Sequence, residues 1–400
     1  MRKTFLYLII FSQSVLSSCG PPLPLEKLFP NQSPSPTPSP KPTTKTTTPT
    51  TPTTKTVSYS GWGIQFSNAG ETVNKLSSVS ASLTDQTKSV SRIKYGQNRG
   101  LMVGAQGTLI LISNNGKTLT EINSPTELNL RDGEITDTSI WVVGKDPTGG
   151  ESVWVTSNDG VTWTREFNTT EFYYKGDHTG EEVDRLSAIQ LVSDTDFVVA
   201  GALRDGYQIL LKKKGSEWFD SLVEADVLAS RFTSISKSST SLVVTGNEGY
   251  VVVSFDNGDS WESRSLEPGL ELNKVSCSVD FCFVVGMSGY SALSWDLGLS
   301  WEQTDPQNST EADIYAVSIN ETPDGPIIYM GDSYGTIYIS DNLGLTWVAT
   351  YMFATDIPIL DINMITPTSG WATSGLLTGS SGSLLFQETF SFQSVGLFPQ

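Results

Sequence analysis

A glycine followed three residues later by tryptophan recurs in one frame along this chain, and that recurrence restricts what the chain can fold into. Four copies are well formed: Thr156-Ser-Asn-Asp-Gly-Val-Thr-Trp163, Ser254-Phe-Asp-Asn-Gly-Asp-Ser-Trp261, Ser294-Trp-Asp-Leu-Gly-Leu-Ser-Trp301 and Ser340-Asp-Asn-Leu-Gly-Leu-Thr-Trp347. Two degraded copies keep the frame, Ile112-Ser-Asn-Asn-Gly-Lys-Thr-Leu119 and Leu211-Lys-Lys-Lys-Gly-Ser-Glu-Trp218. Their glycines, Gly116, Gly160, Gly215, Gly258, Gly298 and Gly344, stand 44, 55, 43, 40 and 46 residues apart, and a fainter copy, Phe66-Ser-Asn-Ala-Gly-Glu-Thr-Val73, precedes them. These residue types suit the turn of a β-hairpin. Asp or Asn accepts backbone N–H groups, Gly supplies a positive φ, the leading hydroxyl closes the turn, and Trp covers a neighbouring unit.

The sequence between copies supplies the rest of a unit. Phe232-Thr-Ser-Ile-Ser, Ser241-Leu-Val-Val-Thr-Gly, Tyr250-Val-Val-Val-Ser-Phe and Trp261-Glu-Ser-Arg are short β-branched or aromatic runs separated by turn residues. The next unit repeats them as Lys274-Val-Ser-Cys, Phe281-Cys-Phe-Val-Val-Gly, Tyr290-Ser-Ala-Leu-Ser and Trp301-Glu-Gln. No amphipathic helix of useful length interrupts. Four strands in about 40–45 residues, repeated, is the pattern of propeller blades.

The turn pattern resembles the Asp-box, or BNR repeat, of sialidases, sortilin-type receptors, some xyloglucanases and photosystem II assembly and stability factors. That resemblance implies an all-β propeller, WD40-like in architecture, with four-stranded antiparallel blades. It also implies that Asn158, Gly160, Trp163, Asp256, Gly258, Trp261, Asp296, Gly298, Trp301, Asn342, Gly344 and Trp347 serve folding, on hairpins joining third and fourth strands. Six blades are complete in sequence. After Trp347, Ile359-Leu-Asp-Ile-Asn, Gly370-Trp-Ala-Thr and Ser383-Leu-Leu-Phe-Gln offer three more strands, which a strand from 57–75 could complete. The expectation is therefore a seven-bladed propeller, with six blades as the fallback.

The N-terminus reads differently. Arg2 and Lys3 precede a mostly apolar run from Phe5 to Leu16, too short for a lasting membrane span, which ends in Leu16-Ser17-Ser18-Cys19. This resembles the lipobox of bacterial lipoproteins. The resemblance implies a signal peptide over 1–18, lipid (palmitate among its acyl chains) on Cys19, and export to the periplasmic or outer side of a cell membrane or outer membrane. Residues 19–56 are Pro, Thr, Ser and Lys, too poor in large apolar residues to form a core. Their proline density favours an extended tether reaching roughly 100 Å. The propeller is expected over 57–400.

Charge narrows the partners. Six of the 25 basic residues and one of the 43 acidic residues lie in 1–56, so 57–400 carries 19 against 42, a net −23. Nucleic acid, which needs a basic face, is excluded as a partner, and so is direct adhesion to anionic lipid. A monomer is expected. Beyond Cys19 only Cys277 and Cys282 occur. A two-residue turn at Val279-Asp280 sets them opposite each other across two strands, at disulfide distance in an oxidising compartment.

Binding candidates come from exposed loops. The longest insertion, Phe167 to Asp184, contains Phe172, Tyr173, Tyr174, Asp177 and the one histidine, His178. In propellers the loops after the second strand, and those entering each first strand, gather at the central opening. Here the former offer Asn247, Glu248, Asp332 and Tyr334 as exposed side chains. Aromatic and acidic residues in such loops suit a protein or carbohydrate ligand. No metal or cofactor is expected, because one histidine and no further cysteine cluster make a poor ligand set.

An enzyme is the weaker reading. A sialidase needs three arginines, a Tyr–Glu pair and an Asp, and its Arg-Ile-Pro motif is replaced by Ser91-Arg-Ile-Lys-Tyr95, in a chain of only nine arginines. A xyloglucanase-type hydrolase needs a carboxylate pair, and none stands out. The expectation is a non-catalytic, lipid-anchored binding propeller at the cell envelope. The alternatives are a glycoside hydrolase, or an assembly factor resembling those of photosystem II.

Overall fold

In the computed structural model the described residues are 63–67, 80–82, 90–116, 118–171, 183–204, 206–221, 231–304, 312–352, 358–366, 369–375 and 382–387. The chain enters with β1 (Gly63–Ser67) and β2 (Ser80–Ser82). The first sheet follows as β3 (Val90–Tyr95), β4 (Gly100–Gly104), β5 (Leu109–Ser113) and β6 (Thr118–Glu121), and the second as β7 (Leu130–Ile135), β8 (Ile140–Lys145), β9 (Glu151–Thr156) and β10 (Thr164–Asn168). The third holds β11 (Val183–Leu191), β12 (Phe197–Leu203), β13 (Gln208–Lys214) and β14 (Glu217–Asp220). The fourth holds β15 (Phe232–Lys237), β16 (Leu242–Gly246), β17 (Val251–Ser254) and β18 (Glu262–Ser263). The fifth holds β19 (Leu272–Cys277), β20 (Cys282–Gly286), β21 (Ser291–Ser294) and β22 (Glu302–Gln303). The sixth holds β23 (Ile314–Asn320), β24 (Ile327–Asp332), β25 (Thr336–Ser340) and β26 (Val348–Met352). Last come β27 (Ile359–Thr366), β28 (Ser369–Gly375) and β29 (Gly382–Gln387).

Six sheets are antiparallel meanders of four consecutive strands, and β2 adds to the outer edge of the first by pairing parallel with β6. A further sheet is composite: β27, β28 and β29 from the end of the chain are completed by β1 from its start. The first strand of each sheet lies against the first strand of the next, and β27 closes the circle onto β3. The described residues form a β-propeller with four-stranded antiparallel blades around a central channel.

Each sheet is covered on both faces by its neighbours, so its middle strands do not alternate. Leu242–Gly246 and Val251–Ser254 are buried at every position. That is why they read as continuous apolar runs. The core is correspondingly divided into clusters shared by adjacent sheets. Val198, Ala200 and Leu210 of the third pack with Leu242, Val244 and Val252 of the fourth. Val243 and Val253 of the fourth pack with Val275, Cys282 and Val284 of the fifth.

The repeated turns join third and fourth strands, as expected, and weld these interfaces. In the second sheet the Thr156 hydroxyl accepts Gly160 N–H at 3.2 Å and donates to Asn158 Oδ1 at 2.7 Å, while Thr162 N–H donates to the same Oδ1 at 2.9 Å. Ser254, Asp256 and Ser260 repeat this bonding, as do Ser294 with Asp296 and Ser340 with Asn342. Each tryptophan then reaches back to the preceding sheet. Trp163 Nε1 donates to Asn123 O at 2.9 Å, Trp261 Nε1 to Ser221 Oγ at 2.8 Å, and Trp347 meets Phe283 edge-on at 5.9 Å. In the composite sheet Trp371, on β28, donates to Gly116 O of the first-sheet turn at 3.2 Å.

Glycine is required in these turns for two reasons. Gly298 has φ +106°, and a Cβ there would stand 2.8 Å from Val253 and 2.9 Å from Val243 of the sheet before it. Cys277 and Cys282 face each other across β19 and β20, joined as a disulfide, and Ser278 N–H donates to Phe281 O across the Val279-Asp280 turn at 2.8 Å.

Gly215 tests the second reason, since its φ is +60° but nothing lies within 4 Å of an added Cβ. Gly215→Ala should cost about 1 kcal/mol, the left-handed backbone penalty alone. Gly298→Ala should cost about 3 kcal/mol by denaturant unfolding, because overpacking against the preceding sheet adds to it. Equal losses would mean that contact between sheets does not select glycine.

Candidate site at the channel mouth

The innermost strands share one register. Each makes a register shift near its start, the second of two in β11, and the residue just past it is Arg92, Asp132, Ala188, Ser234, Lys274, Ala316 or Asp361 in turn around the ring. Two residues further come Lys94, Glu134, Gln190, Ser236, Ser276, Ser318 and Asn363. These two levels line the channel.

An innermost strand is a sheet edge, and its free N–H groups need acceptors. They find them on the adjacent sheet. Asp361 Oδ2 accepts Ile93 N–H at 2.9 Å, Asp132 Oδ2 accepts Ile189 N–H at 2.9 Å, and Ser234 Oγ accepts Val275 N–H at 3.3 Å. One level on, Ser236 and Ser318 do the same for Cys277 and Met364.

Two lysines brace sheets that are not neighbours. Lys274 of the fifth sheet bonds Asp361 of the composite sheet, past the sixth, where Ala316 leaves room. Lys94 of the first sheet pairs with Glu134 of the second at 2.8 Å and donates to Gln190 of the third at 3.3 Å. Burial shifts these groups. It pushes Glu134 up to about 7 despite Lys94, and raises Asp132 despite the amide of Ile189 and the nearby cations. Burial also lowers Lys274, more than Asp361 restores. Burial opposes charge on Lys94 too, but Glu134, Asp132 and Asp361 outweigh it and raise its pKa.

Where the inner strands begin, the channel opens onto a rim. The turns after the second strands rest on the segments entering the first strands. Asn247 N–H donates to Arg231 O at 3.0 Å, Met287 N–H to Glu271 O at 2.9 Å, and Ser333 N–H to Asp313 O at 2.8 Å. Four arginines meet at this end: Arg92, Arg131, Arg185 and Arg231. Arg131 is held by Glu151, fully buried, through Nε at 3.0 Å and Nη2 at 2.9 Å. Arg185 is driven down to about 10 by burial first, then by the like charges of Arg131, Arg231 and Arg92. Arg185 Nε and Ser187 Oγ are both buried, and neither has a hydrogen-bond partner among the described residues. Buried donors without acceptors, inside a group of cations, are groups that an anion would satisfy.

The expected binding residues fall as follows. Glu248 is exposed on this rim, at φ +58°, and with burial it raises the Glu271 carboxyl against the pull of Arg231. Asn247 is half-buried beside it, and Tyr334 is 52% exposed two sheets away. Asp332 corrects the expectation of an exposed contact. It is fully buried, accepting N–H of Tyr334 at 2.9 Å, N–H of Thr336 at 2.7 Å and the hydroxyl of Tyr338 at 3.0 Å. A carboxylate at the start of a tight turn staples the turn's amides and so faces inward. Phe172, Tyr173, Tyr174, Asp177, His178 and Cys19 lie outside the described residues. The four arginines were missed because each stands alone in sequence. Their signal is phase: each falls where a repeat enters its first strand.

The fold places the chain among β-propellers, and comparison with solved structures agrees. It is similar to YCF48 bound to D1 peptide, with a TM-score of 0.56 and 15% identity over 76% of this chain and 92% of that one. It is similar to YCF48 from Cyanidioschyzon merolae, with a TM-score of 0.54 and 13% identity over 76% and 96%. The WD40 β-propeller domain of Doa1 gives 0.54 and 11% over 82% and 98%. At these identities the likeness is one of fold. No family model and no curated protein matches the sequence.

The brace past the sixth sheet carries a definite consequence. Lys274→Met should leave Asp361 buried without its cation and lower stability by about 3 kcal/mol at neutral pH, measured by urea unfolding. A loss below about 0.5 kcal/mol would show that the pair is not a brace.

Proposed function

We propose that this protein is a non-catalytic binding propeller whose arginine-lined mouth receives an acidic, carboxylate-bearing segment of a partner protein. The observation that carries the reading is that Arg185 Nε and Ser187 Oγ are both buried with no hydrogen-bond partner among the described residues, and that Arg185 feels the charge of three further arginines. The setting sharpens it. On a domain of net charge −23, a cationic opening is a local reversal of field, which steers anionic segments to one place. A propeller similar in fold has been solved with a peptide bound, which supports a protein as the partner over a glycan, and an assembly role over hydrolysis.

In the same reading the composite sheet is a seventh blade, and the repeated turns are Asp-boxes. Residues 1–18 are a signal peptide, Cys19 carries lipid, and 19–56 tether the propeller to the outer or periplasmic face of a membrane. The disulfide between Cys277 and Cys282 suits that oxidising side. Glu248 and Tyr334 flank the mouth as contacts on its acidic and aromatic side.

Binding is tested with the full-length protein and a fluorescent glutamate-rich peptide ending in a free carboxylate. Arg185→Gln should weaken binding about tenfold or more, and added salt should weaken it in wild type. Equal affinity in the two proteins would remove the mouth as the site. The anchor is tested separately: Cys19→Ser should abolish metabolic labelling by palmitate and move the protein out of the membrane fraction. Unchanged labelling would exclude lipid on Cys19.

A further inference from the structure

The charged groups of the channel are balanced and continuous with the mouth. Arg92, Lys94 and Lys274 oppose Asp132, Glu134 and Asp361, three charges of each sign. Arg92 belongs to both regions, because its charge acts on Arg185 at the mouth and on Asp132 and Lys274 within the channel. Asp132 and Asp361 are each fixed by a backbone N–H of the neighbouring sheet, and Asp361 also by Lys274. Glu134 has the same kinds of anchor and, in addition, a like charge close by. Its carboxylate is buried between sheets, takes Lys94 on one side and the amide of Leu191 on the other, and has Asp132 as a like charge on its own strand.

We propose that Glu134 is the proton-accepting element that regulates anion binding at the arginine mouth. This rests on the mouth being the binding site. Protonation of Glu134 breaks its ion pair, leaves Lys94 facing Asp132, Asp361 and the Gln190 amide, and takes the channel from net zero to +1. The added charge lies in a buried, weakly screened setting joined through Arg92 to Arg185, so it strengthens the hold on any anion at the mouth. Burial places this titration close to neutrality. The sign is fixed: affinity rises as pH falls through about 7, and by reciprocity anion binding draws a proton in.

Sulfate is a suitable probe, since its own charge is constant between about pH 5.5 and 8.5 and it carries no titrating peptide groups. In the full-length protein, sulfate affinity by calorimetry should increase at least about threefold from pH 8 to pH 6. Repeating the titration near pH 7 in buffers of different ionisation heat should reveal net proton uptake, a readout that needs no variant. Glu134→Gln should bind sulfate tightly at both pH values with no proton uptake, and Lys94→Gln, which frees the carboxylate from its cation, should move the transition to higher pH. Proton uptake of zero in wild type, or the same pH profile in wild type and Glu134→Gln, overturns this inference alone. Sulfate binding at no pH removes the mouth as a binding site, and this regulation with it.

Discussion

Contact between one sheet's turn and the body of the sheet before it is the constraint on which the rest of this molecule depends. A four-stranded sheet of valine, leucine and isoleucine has two apolar faces and no helix to cover either. It becomes stable only when another such sheet lies against each face. The glycines of the repeated turns let the backbone come within contact of the neighbour, and the tryptophans fill the space beyond. Gly258 against Val198, Gly298 against Val243 and Gly344 against Phe283 are the same contact made three times. Because each sheet depends on both neighbours, the arrangement has to close, and β1 pairing with β29 supplies that closure from the opposite end of the chain.

Closure creates the channel, and the channel creates an electrostatic problem. The inner strand edges converge with backbone donors that face no partner strand. Serines of the adjacent sheet meet this need at two junctions, through Ser234 and Ser236 at one and Ser318 at the other, and carboxylates do so at two more, through Asp132 and Asp361. A buried carboxylate requires a cation, and the lysines that answer are long enough to pass a neighbouring sheet and bind the next one. The charge network is thus a consequence of satisfying the inner edges, and the surplus of arginine at one end gives the molecule a chemically distinct opening on an otherwise acidic surface.

Much of the architecture was legible because hairpin turns are local. Thr156, Asn158, Gly160 and Thr162 close the turn through hydrogen bonds to one another, so their spacing announces the turn before anything is folded. The Cys277–Cys282 pair was legible for the same reason, as a two-residue turn sets its register. Asp332 was misread through the same local logic applied too loosely. A carboxylate between glycines looks like a loop contact, yet its neighbours Tyr334, Thr336 and Tyr338 draw it inward.

The sequence by itself determined the unit, its four strands, its turn chemistry and the need for several units side by side, because these follow from interactions among residues close along the chain. Only the tertiary structure decided that Arg92, Arg131, Arg185 and Arg231 share one opening, and that Lys94 answers to Glu134 and Lys274 to Asp361. These partners lie on different repeats, and the chain carries no local mark of which of them will meet. Their encounter depends on the number of sheets in the circle, the register of each inner strand and the depth to which each side chain reaches, quantities that exist only once the ring has closed.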